Sequence, residues 1–239
     1  MSRGTIRGRE EFLNQIAEKK EQPRSEHVER PEWKVQPQWD IFANETTDQL
    51  VGRFKEQCKN IHTNVIETTS GGLREAVAET IGAYQAESAI MWDDERLMTA
   101  GLDEAFREQM QDLGVEVHVW NADDGNENIR RAERAGVGIT YSDMTLAESG
   151  TVVCLSSPQK GRVVSTLPEN YIAVIPRSTI VPRLTQATRH IHERVQNGEE
   201  IPSGIHFISG PSNSADIEMS LVVGVHGPMR ATYIILEDM

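Results

Sequence analysis

The side chains best placed for chemistry crowd into one junction, Glu148-Ser149-Gly150-Thr151, where a short polar segment gives way to an apolar one. A carboxylate held beside a glycine bend can act as a nucleophile or a general base when burial raises its pKa. The alternative is that Glu148 accepts hydrogen bonds from the N–H groups of the turn and has no chemical role. Just upstream, Thr140, Ser142 and Asp143 follow an apolar, strand-like run at residues 137–140. Open α/β sheets bind ligands outside the carboxyl ends of their strands, which is where these three residues fall. Glu148 is therefore the candidate catalytic residue. Thr140, Ser142, Asp143, Ser149, Gly150 and Thr151 are candidate ligand contacts.

A second constellation lies in residues 205–223, IHFISGPSNSADIEMSLVV. The pattern predicts a strand at 205–208, a loop at 209–213 and a helix from 214 to 223. A strand–loop–helix element aims free backbone N–H groups and the positive end of a helix dipole at an anion. On that reading Gly210, Ser212, Asn213, Ser214, Asp216 and Glu218 are further ligand contacts. Neither G-x-G-x-x-G nor a G-K-[ST] ending is present, and Ser214 serves equally well as an N-cap with Asp216 complementing the dipole.

No metal site is expected. His190 and His192 stand two apart on a predicted helix and so face different ways. Cys58 and His62 have a usable spacing but no companion pair. His206 and His226 are candidates for proton transfer, and Lys160, Arg162 and Arg177 border the central segment, where they could receive a carboxylate or simply form surface pairs. With only two cysteines, Cys58 and Cys154, the chain cannot by itself hold an iron–sulfur cluster. Any cluster belongs to a partner.

These residues need a scaffold, and 239 residues suffice for one α/β domain plus an appendage. Residues 5–20 predict a short amphipathic helix, followed by an extended arm in which Pro23, Pro31 and Pro37 forbid further helix. Trp33, Trp39 and Phe42 punctuate that arm and read as anchors, on this chain's own surface or on a neighbouring subunit. From Thr46 onward the pattern is regular: helices at 46–59, 73–84, 102–113, 127–135, 143–147 and 182–195. Strands alternate with them at 62–67, 88–92, 115–120, 137–140, 151–155, 171–175, 205–208 and 231–236. Alternation of this kind predicts an α/β fold, a mainly parallel Rossmann-like sheet with helices on both faces. Residues 1–45 then form the N-terminal helix and arm, and 46–239 the α/β domain.

The net charge of −13 argues against nucleic acid as a partner. The first 60 residues hold eleven acidic and eleven basic side chains, so the excess belongs to the body rather than the arm. No run of eighteen apolar residues is present, so no transmembrane segment is expected, and no apolar stretch near residue 1 reads as a signal peptide. A cytoplasmic location is the expectation.

Three runs taken together resemble the LUD-domain family: GITYSDMTLAESGTV, PENYIAVIPRSTIVPRL and SGPSNSADIEMSLVVGVHGP, with RPEWKVQPQW in the arm. The resemblance implies the fold shared by sugar-phosphate isomerases and CoA transferases. It also implies a role in oxidising L-lactate to pyruvate together with two iron–sulfur partner proteins, this chain being a non-redox accessory subunit without a cofactor of its own. In CoA transferases of that fold a Ser-Glu-Asn-Gly turn carries the catalytic glutamate. Here Glu148-Ser149-Gly150 is one residue shorter and differently ordered. The alternative function is an enzyme that binds a nucleotide- or CoA-like anion and acts through Glu148.

Overall fold

A computed structural model describes residues 6–21, 23–24, 29, 31–217 and 220–239, with only the backbone described for 215–217 and 220. The chain divides into two units, Met1–Pro37 and Gln38–Met239. The first carries helix α1, Arg9–Lys19, with Glu10 and Glu11 in its first turn and Lys19 in its last, as the helix dipole favours. Arg24 returns to pair with Glu10 at 2.6 Å.

The second unit opens on helix α2, Thr47–Asn60. Thr46 accepts a hydrogen bond from the Gln49 N–H while Gln49 reaches back to the Thr46 N–H, a reciprocal cap that fixes the helix start. Leu50, Val51, Phe54 and Cys58 form its buried face. Strand β1, Thr63–Thr68, helix α3, Leu73–Tyr84, and strand β2, Ser88–Met91, follow as the sequence pattern predicts. After β2 comes a helix that the pattern did not show, α4, Glu95–Thr99, capped by the Asp94 side chain. Its one turn is too short to display a period. The helix expected at 102–113 is the shorter α5, Glu104–Asp112, because Asp103 caps it by accepting from the Phe106 N–H. Strand β3, Glu116–Val119, helix α6, Asn126–Arg134, and strand β4, Val137–Tyr141, complete this half.

Residues 143–147, expected as a helix, form strand β5, Met144–Leu146. All three residues are buried, whereas a surface helix needs a polar face. β5 pairs antiparallel with β6, Thr151–Leu155. Strand β7, Asn170–Pro176, strand β8, Ile180–Val181, helix α7, Leu184–Gln196, and strand β9, Ile205–Ile208, come next. Pro182 precedes α7 rather than lying in its first turn.

The helix expected at 214–223 is a hairpin: β10, Asn213–Ile217, pairs antiparallel with β11, Ser220–Val223. The β-branched Ile217, Val222 and Val223 favour strand, and Gly224, at φ +82°, donates its N–H to the Ser212 carbonyl and closes the hairpin base. The last strand is β12, Arg230–Leu236.

Six strands in the order β1-β12-β7-β4-β2-β3 make one sheet, every pairing parallel, with helices flanking it. β7 is buried at all seven positions, as a strand covered on both faces must be. Phe54 stacks on Tyr233 at 5.8 Å and Tyr171 meets Tyr233 edge-on at 6.4 Å, so aromatic contacts tie α2 to two neighbouring inner strands, those that hold Tyr233 and Tyr171. A second sheet, β8-β5-β6-β9, lies beside the first. From β2 the chain runs outward to β3, whereas from β4 it runs the other way to β7. The neighbours β2 and β4 therefore flank a topological switch point, where a crevice opens at the strands' carboxyl ends.

Candidate functional site

At that switch point the ends of β2 and β4 each deliver a carboxylate. Asp94 follows β2, Asp143 follows β4, and Arg96 bridges them. Its Nε and Nη2 donate to Asp94 at 2.9 and 2.5 Å, and its Nη1 donates to Asp143 Oδ1 at 2.9 Å. The other Asp143 oxygen accepts the Leu155 N–H at 2.8 Å, which ties the second sheet to the first. Burial works against ionisation of Asp94, but the hydrogen bonds and charge of Arg96 outweigh it and hold that carboxyl below its ordinary range. Burial likewise opposes the charge on Arg96, and the two aspartates more than restore it. Arg96 also lies over the Tyr141 ring, 4.3 Å from its centre.

Lys160 Nζ stands 3.8 Å from Asp94 and 3.9 Å from Asp143. Its loop is stapled by two tryptophans: Trp92 Nε1 donates to the Gly161 carbonyl at 2.9 Å and Trp120 Nε1 to the Pro158 carbonyl at 2.8 Å. Beyond Lys160 a cleft of about 890 Å³ opens between this loop, the strand ends and residues 200–204. Asp143, Lys160, Arg162, Arg194, Glu200 and His206 supply its titratable lining. Burial, helped by the charge of Arg162, pushes the His206 pKa below its ordinary value, so the ring is neutral at pH 7. Its Nε2 is buried without a hydrogen-bond partner among the described residues. Gly204 leans over it, and a Cβ there would stand 2.7 Å from that nitrogen.

Of the residues singled out in the sequence, Asp143, Lys160, Arg162 and His206 line this cleft, and the other candidate contacts do not. The Thr140 hydroxyl lies 2.6 Å from the Tyr171 hydroxyl inside the core, and Ser142 Oγ donates to the Met144 carbonyl at 2.5 Å. Both are fully buried. Glu148 lies in a separate cleft of about 470 Å³ with Glu45, Gln49, Arg53, Glu56 and Gln57. Arg183 Nε donates to its carboxylate at 2.6 Å, and its side chain is 39% exposed. The Glu148 carboxylate is thus held in an ion pair at the side of that cleft.

The Glu148 junction and the Gly210 loop do meet, through hydroxyls: Ser149 lies 2.6 Å from Thr151, and Thr151 lies 2.7 Å from Ser209. Gly150 at φ +63° and Gly210 at φ +72° both press on the corner between α2 and β1. An added Cβ would stand 2.7 Å from Ile61 Cδ1 in the first case and 2.6 Å from the Ile61 carbonyl in the second. Only glycine fits either place. The meeting is a packed corner, and the Gly210 loop does not line the Glu148 cleft.

Ser212 exchanges backbone hydrogen bonds with Pro228 and Gly224, and Asn213 Nδ2 donates to the Pro211 carbonyl at 3.3 Å. Ser214 and Asp216 belong to β10, so no helix N-terminus is directed at a ligand there. Glu218 lies outside the described residues. Of the arm's anchors, Trp39 packs under Arg189, 5.0 Å from ring centre to guanidinium, and Phe42 under Arg53 at 3.8 Å. Among the described residues no group of three or more His, Cys, Asp and Glu is placed to hold a metal ion, and no helix is long and apolar enough to cross a membrane.

An all-parallel sheet with a cleft at its switch point defines a Rossmann-like α/β protein. Residues 51–236 match the LUD domain, and the chain belongs to that family. Along its full length it is similar to proteins named lactate utilization protein C. The one from Geobacillus sp. (strain WCH70) is 50% identical, with 100% of this chain and 99% of that one covered. The one from Geobacillus thermodenitrificans is 48% identical with both chains fully covered. Among solved structures, a DUF162 family protein from Deinococcus radiodurans superposes with a TM-score of 0.53 at 16% identity, over 81% of this chain and 99% of that one. That likeness shows a shared fold.

Proposed function

We propose that this protein is a component of an L-lactate utilization system, supporting oxidation of L-lactate to pyruvate as a subunit that works with iron–sulfur partner proteins. The observation that carries this reading is the 50% identity, end to end, with a lactate utilization protein C, arm included. The chain's own chemistry is compatible with an accessory role. Cys58 and Cys154 are both buried, so neither thiol faces a partner's cluster. The site side chains bind and orient charge, through Arg96, Lys160 and Arg162, and the electrons pass through the partners. Deleting the gene from its host and plating on L-lactate as sole carbon source tests the proposal. Growth should be lost and restored by the gene in trans. Undiminished growth of the deletion strain, with no second copy present, refutes it.

A further inference from the structure

We infer that the cleft at the switch point binds a phosphorylated organic anion of nucleotide size. This goes beyond the proposed role in lactate utilization and does not depend on it. Position is the first argument: the cleft opens at the carboxyl ends of β2 and β4, where a parallel sheet leaves a crevice for a ligand.

Charge is the second. In a chain of net charge −13, three cations, Lys160, Arg162 and Arg194, share this lining with two carboxylates, Asp143 and Glu200, and of the three Arg194 is already paired, through its Nε, with Glu199 at 2.7 Å. Both oxygens of Asp143 are already committed, one to Arg96 and one to the Leu155 N–H, so it opposes an anion less than its charge suggests. Lys160 stands beyond hydrogen-bond distance of both its aspartates, at 3.8 and 3.9 Å, and keeps ammonium protons for a ligand. Arg162 makes no ion pair among the described residues, is exposed and lines the cleft.

Size and lining give the class. A volume of about 890 Å³ suits a ligand far larger than a three-carbon acid, which would leave most of it unfilled. Leu155, Pro158, Ile201 and Pro202 add apolar lining for an organic moiety beside the cations that would take its phosphates. In the same lining, His206 Nε2 is a buried polar atom without a partner among the described residues, and a ligand atom reaching past Gly204 would satisfy it.

The test is calorimetry and thermal melting of the full chain with ADP and with coenzyme A as probes, beside inorganic phosphate, L-lactate and pyruvate. At least one of the two phosphorylated probes should bind and raise the melting temperature. Arg162→Ala should weaken that probe about tenfold, as loss of one charge-assisted contact does. Arg194→Ala should act in the same direction, and Arg130→Ala, at an exposed side chain of α6 outside the cleft lining, should change nothing. The inference is overturned if neither probe binds at millimolar concentration. It is also overturned if binding is indifferent to both Arg162→Ala and Arg194→Ala, or if phosphate, lactate or pyruvate binds as tightly as the organic probes. Because growth on lactate is scored separately, failure here leaves the pathway proposal standing, and failure there leaves this one.

Discussion

Replacing Asp94 with asparagine should destabilise the protein by about 2 kcal/mol at pH 7 and leave its fold intact. Breaking a buried ion pair by removing one partner costs about 3–5 kcal/mol. Here Arg96 keeps Asp143 at 2.9 Å and is 37% exposed, so water and the second carboxylate absorb part of the loss. Asparagine also retains an oxygen for the 3.1 Å bond from the Arg96 N–H, and it caps helices as well as aspartate does. In a chain of this size 2 kcal/mol corresponds to a fall in Tm of about 4–8 °C.

Urea titrations of both proteins, at pH 7 and at pH 3, measure the effect. The Asp94 pKa is depressed in the folded state from an ordinary 3.8, so its contribution is fully present above that value. It is lost as pH falls through the folded pKa. The gap between wild type and Asp94→Asn should therefore be flat from pH 7 to about pH 5 and narrower at pH 3. A gap under about 0.5 kcal/mol at pH 7, or one that is the same at both pH values, would refute the account of the cluster.

Two other expectations concern the core. Gly138 lies in β4 where an added Cβ would stand 1.8 Å from the Val164 carbonyl oxygen, a backbone atom that cannot step aside alone. Gly138→Ala should cost at least about 3 kcal/mol or abolish soluble expression, and a Tm within about 3 °C of wild type would count against the strand packing described. Burial pushes the Cys58 thiol up to about 12 and the Cys154 thiol up to about 11. Neither should react with a thiol reagent at pH 8 until urea unfolds the chain, and rapid modification of the native protein would contradict their burial.

Much of the fold was legible because its signals are local. The Thr46–Gln49 cap, the apolar stripe of α2 and the run that becomes β9 each fit within a few residues of sequence. Failures came where pairing overrides local pattern. Residues 143–147 have a helix-compatible composition, yet Met144–Leu146 is fixed by β6 and β8 on either side. The hairpin of β10 and β11 was hidden in the same way, since Ser214 and Asp216 suit a helix start as well as they suit a strand. The site was half legible. The strand-end rule found Asp143, but Thr140 and Ser142, chosen by the same rule, turn their hydroxyls into the core. Asp94, Arg96 and Arg194 gave no signal because their relation to Asp143 is made by tertiary structure alone.

The order of strands also bears on how the chain comes into being. Among the described strands β1 comes first in sequence, and its neighbour in the six-stranded sheet, β12, comes last. Ser70, just after β1, is bonded to Asp238, 168 residues later. A ribosome releasing this protein exposes α2 and β1 long before their partner exists, and non-local pairing of this kind folds slowly. β12 must then insert between β1 and β7 rather than add to an edge. Until residues 230–236 emerge, two open strand edges invite other chains, which makes this nascent chain one that a chaperone would be expected to hold.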